Sequence, residues 1–125
     1  MDETNNLDWV TARANCSLTK VFKELEIGVR GDIDIRNHLN DGAQFEVVNV
    51  PPHEFTIIRK TEGRLPRSVV TFSIAGDGIN FTGEGCSAFR ATLILNSRGQ
   101  CRLNVEDQEL TQWQVRMRAL ETLFF

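Results

Sequence analysis

Residues able to do chemistry are few and scattered in this chain. The densest stretch is "SIAGDGINFTGEGC", Ser73–Cys86, which holds four glycines and one cysteine. A dinucleotide-binding turn needs G-x-G-x-x-G between a strand and a helix, because the helix N-terminus supplies the N–H groups that hold pyrophosphate. Here Gly76-Asp77-Gly78 runs into Ile79, Asn80 and Phe81, with no third glycine, no Walker lysine and strand-like residues beyond. Asp-Gly between two β-branched and aromatic runs is a hairpin signal instead. The expectation is a turn at Asp77–Gly78, then a looser connection through "GEGCS".

Cys16, Cys86 and Cys101 are odd in number and far apart. None has the short spacing of a zinc or redox motif, and neither His38 nor His53 lies near one in sequence. The expectation is three reduced, mostly buried thiols, with Cys86 facing the core and no metal or cofactor. A cysteine-dependent enzyme is the minor alternative. A nucleophilic thiol needs a base and a depressed pKa, and Cys16, just before a helix start, is the better placed of the two candidates.

The carboxylates form no catalytic pair. Asp32 and Asp34 fall on different sides of a helix, Glu84 stands alone, and Glu106, Asp107 and Glu109 precede a C-terminal helix whose dipole favours them. Cations are denser in "RKTEGRLPR". Arg59, Lys60, Arg64 and Arg67 bracket one loop stiffened by Pro66 and could grip an anionic small molecule, a lipid headgroup or an acidic protein.

The elements that would position these residues follow from periodicity. Leu18, Val21, Phe22, Leu25, Val29 and Ile33 mark one face of a helix that starts after the N-cap Ser17 and stops near Asn37, ahead of Asn40 and Gly42. Gly28 and Gly31 in its second half imply a bend or a close neighbour. The preceding "LDWVTARANC" leans to a short helix broken near Asn15. From Phe45 to Val105 the period becomes two: "FEVVNV", "EFTIIRKT", "SVVTFSI", "INFTG", "FRATLILN" and "CRLNV", six strands joined too closely for crossover helices. Gly99 suits a left-handed position in the last hairpin. The chain closes on a helix whose Leu110, Trp113, Met117, Leu120 and Phe124 form an apolar stripe, opened by a Thr111/Gln114 capping box. "ETLFF" leaves Phe125 as surplus apolar surface.

The expected fold is α+β in a single domain over residues 1–125. A long N-terminal helix, a roughly six-stranded antiparallel meander, strongly curved or half-barrel, and a C-terminal amphipathic helix pack on one another, with residues 1–7 as a disordered tail. This order is similar to frataxin-like folds, and a meander closed by a helix to pleckstrin-homology-like barrels; both likenesses are of fold alone.

A net charge of −3 over 125 residues argues against a nucleic-acid partner, which calls for a basic face. No apolar run reaches the roughly 20 residues of a membrane span, and the acidic start is unlike a secretory leader, so the expected location is cytoplasmic. The functional expectation is a small non-catalytic binding or scaffolding domain that self-associates, with Trp113, Met117, Leu120, Phe124 and Phe125 at a homodimer contact.

Overall fold

The computed structural model describes residues 8–39, 44–50, 53–60, 68–84 and 86–125. Helix α1 spans Trp9–Asn15 and is capped by Asp8, whose carboxylate accepts from the Thr11 N–H at 3.0 Å and the Thr11 hydroxyl at 2.6 Å. Helix α2 spans Leu18–His38 with Ser17 as N-cap. The hydrophobic stripe buries as its spacing requires: Val21, Phe22, Leu25, Val29 and Ile33 all lie in the core. Asn40 and Gly42, read as stop signals, and residues 1–7 lie outside the described residues.

Among the described residues seven strands form one antiparallel sheet in chain order: β1 (Gln44–Val50), β2 (Glu54–Lys60), β3 (Val69–Ala75), β4 (Gly78–Thr82), β5 (Phe89–Leu95), β6 (Cys101–Val105) and β7 (Gln108–Leu110). Helix α3 spans Gln112–Phe124. The α+β reading holds, and the sheet does not close on itself. The added strand comes from the acidic run. Glu106 and Asp107 take φ of 51° and 65°, and Val105 pairs with Gln108, so these two acids are a hairpin turn of the kind that follows the twist of its strands. The carboxylates therefore do not serve the α3 dipole. Glu106 instead accepts from the Arg118 guanidinium at 2.8 Å, and Glu109 from the Asn96 side chain at 3.1 Å.

Alternation along the strands points one face inward. Phe55, Phe72, Phe81 and Phe89 are register partners on four successive strands, and their rings stand 4.7, 4.7 and 4.3 Å apart in turn. Phe22 of α2 lies on Phe55 at 5.1 Å, which docks that helix on this ladder. Thr111 accepts from the Gln114 N–H and Gln114 from the Thr111 N–H, the expected capping box.

The packed face of α3 differs from the expected stripe. Val115, Ala119, Leu120, Leu123 and Phe124 are buried, whereas Trp113 and Met117 face outward. Val115, Ala119 and Leu123 recur every four residues and mark the buried face. The 3-4-3-4 spacing identified a helix but chose a face rotated from the one that packs.

Candidate functional site

The glycine-rich stretch is structural. Gly76 and Asp77 form the β3–β4 turn, one residue earlier than expected, with Gly76 at φ 61°. A Cβ on Gly78 would stand 2.6 Å from the Ala91 carbonyl oxygen on β5, so only glycine lets these strands meet. Gly83 has φ 135°, and a Cβ there would run into the Val69 carbonyl. Arg90 clasps the turn from β5, donating to the Ala75 carbonyl and the Asp77 carboxylate, each at 2.7 Å, and to the Asn80 side chain at 2.9 Å. The Arg90 hydrogen bond holds the Asp77 carboxyl below its ordinary value, aided by the Asp77 backbone and by the guanidinium charge.

The cysteines correct the sequence expectation. Cys16 and Cys101 form a disulfide, with Cα atoms 5.2 Å apart, between the α1–α2 corner and the start of β6. That distance lies within the window a disulfide requires, and the 85 residues between them conceal the pairing in sequence. Cys16 therefore offers no thiol. Cys86 is free, partly buried and packed against the core, and burial pushes its thiol up, away from nucleophilic character. His38 and His53 are exposed, and among the described residues no group of three His, Cys, Asp or Glu could hold a metal ion.

Within the cationic hairpin, Arg59 and Lys60 are neighbours in β2 and so point to opposite faces of the sheet. Lys60 pairs with Glu46 at 3.2 Å. Arg64 and Arg67 lie outside the described residues.

A groove of about 690 Å³ lies between the C-terminal half of α2 and the whole of α3. Hydrogen bonds fix how these helices lie. Gln112 donates to Glu24 at 2.9 Å, Arg116 to Asp32 at 2.7 Å, and the Arg36 Nε to the Phe124 carbonyl at 2.8 Å. Contacts that advance together along both chains mean that α2 and α3 run parallel, side by side. Arg36 is buried, and its guanidinium lies 4.8 Å from the Phe125 ring and 5.6 Å from Phe45. It thereby supplies a donor to a carbonyl at the end of α3 that helix geometry leaves without an intrahelical partner.

The groove gathers Trp113, Met117, Leu120, Phe124 and Phe125, the five residues singled out at the C-terminus, and adds Ile35 and Leu39 from α2. Leu120 and Phe124 form its buried floor. Its rim is exposed: Ile35 by 67%, Leu39 by 59%, Trp113 by 56%, Met117 by 49% and Phe125 by 82%. Sequence reasoning missed the α2 contribution, although Ile27, Ile35 and Leu39 were there to be read. With Gly31 they repeat every four residues on a second face, beside the stripe that packs inward.

The two helical glycines part company here. A Cβ on Gly28 would collide with the Arg116 guanidinium, 2.5 Å away, so Gly28 lets Arg116 cross α2 to reach Asp32. A Cβ on Gly31 would meet nothing within 4 Å. Glycine in a helix interior costs about 1 kcal/mol relative to alanine, and among the described residues no contact at Gly31 accounts for it.

Among the described residues no helix is long and apolar enough to cross a membrane. No family model, no curated protein and no solved structure matches this chain, so the reading of its function rests on the groove and the helix face around it.

Proposed function

We propose that this chain is a non-catalytic interaction domain that binds a second copy of itself through the outer face of α2 and α3. The observation that carries the reading is the exposed apolar rim of the groove. With aromatic side chains of about 150–250 Å² each, the five rim residues and Ile27 expose roughly 600 Å², the upper end of the largest patch on an ordinary monomer. Two such faces pressed together bury about 1,200 Å², the lower bound of a standard specific interface.

Composition supports the same reading. An exposed tryptophan flanked by methionine and phenylalanine is the mix enriched where proteins meet. Trp113 is also the second residue of α3, a position where local helix chemistry favours an acid over an indole.

The disulfide bears on location. Cytoplasmic reductants keep such pairs reduced, so Cys16–Cys101 favours an oxidising compartment over the cytoplasm expected from the sequence.

Light scattering over a concentration series tests the function. The expected mass rises toward twice the 14.2 kDa of one chain, and Trp113→Asp returns it to one chain. The aspartate suits the first turn of α3, so its effect falls on the surface and spares the helix. A wild-type mass of one chain at every concentration would contradict the reading.

A further inference from the structure

We infer that the two copies meet with their α2 helices antiparallel and crossing at Gly31, an inference that rests on the self-association proposed above. Gly31 is exposed, sits midway between Ile27 and Ile35 on the outer face, and among the described residues a Cβ added there would meet nothing within 4 Å. A residue without a side chain at the centre of an apolar helix face is what a second backbone needs for close approach.

A two-fold axis at this point makes the surface self-complementary. Ile27 of each copy then lies across from Ile35 of the other, four residues on either side of the crossing. Charges fall in the right order as well. Arg30, which pairs with Glu26 in its own chain at 3.1 Å, comes beside Asp34 of the other copy, whereas a parallel arrangement would set Glu24 against Glu24.

Because α3 runs parallel to α2, the same axis lays α3 on α3. Met117 falls near the axis, and Trp113 reaches the C-terminal end of the other copy's α3, where Phe125 stands exposed. The assembly is a four-helix seam with one sheet on each outer side.

The experiment uses the full chain with Cys86→Ser, so that Cys16–Cys101 is the sole native cysteine pair. Gly31→Cys in that background gives a covalent dimer under mild oxidation as the main product, because helices crossing at a glycine bring the Cα atoms within disulfide range. Gly31→Leu weakens self-association at least tenfold by light scattering, while its thermal midpoint, compared at concentrations where both chains are monomers, does not fall, since leucine is the better helix former. A Gly31→Leu chain that dimerises as the wild type does would overturn the crossing, and if Trp113→Asp still abolishes that dimer, the docking face itself stands. A wild-type chain that never exceeds one-chain mass removes both.

Discussion

At the scale of single residues, the chemistry-bearing types in this chain are occupied with structure. Asp77 is held as a carboxylate by Arg90, with its pKa below the ordinary 3.8. A depressed carboxyl stabilises the fold above its unfolded-state value, and that contribution is lost as pH falls through the lower folded value. Carbon-detected NMR titration therefore finds Asp77 below 3.8 in the wild type and higher in Arg90→Ala. An unchanged midpoint would show that the clasp does not act on the carboxylate. The turn itself was legible as Asp-Gly beside strand residues. Its one-residue shift was not, because the choice rests on Gly78 having no room for a Cβ against Ala91, a contact between strands that no short window contains. The cysteine pair was hidden for the same reason. Nothing local at Cys16 or Cys101 records that a helix corner and a strand start lie together.

At the scale of elements, periodicity carried the helices and all but one strand. Helix α2 obeyed its stripe because a single face was both apolar and regular. β7 escaped because Glu106 and Asp107 sit at positive φ, which the sequence marks only by an acid where glycine or asparagine is usual. Helix α3 misled in a subtler way. Two apolar faces compete on it, and the one that packs carries the fully buried Val115 and Ala119. Two substitutions test this. Ala119→Leu overfills that face and lowers stability by about 1–3 kcal/mol in chemical denaturation, whereas Met117→Gln on the outer face, compared at concentrations where the chain is a monomer, changes it by less than about 0.5 kcal/mol. Equal effects would mean that the helix packs on the face its spacing first suggested. Thr111→Ala removes the capping box and costs about 1 kcal/mol by the same measurement.

At the scale of the whole molecule, two features set behaviour: a covalent tie and an uncovered helix layer. The Cys16–Cys101 bond closes a loop across most of the chain, and for a separation of this length chain entropy gives about 4–5 kcal/mol. Helix α1 has no buried residue of its own, so the bond fastens a lightly packed corner to the sheet. Thiol labelling of the unfolded chain without reductant detects Cys86 alone, and all three cysteines after reduction. Three reactive thiols in the unreduced chain would remove the tie. The helix layer was half legible. Its α3 residues stood out in sequence, whereas the α2 stripe around Gly31 gained meaning only when the two helices proved to lie parallel with a groove between them. The central claim is that this face is covered by a second copy, and Trp113 reports on it directly. The chain has two tryptophans, so Trp9→Phe leaves Trp113 as the sole indole fluorophore. Its emission shifts to the blue and its quenching by acrylamide falls as protein concentration rises, in step with the doubling of mass. Emission and quenching that stay those of an exposed indole while the mass doubles would contradict it.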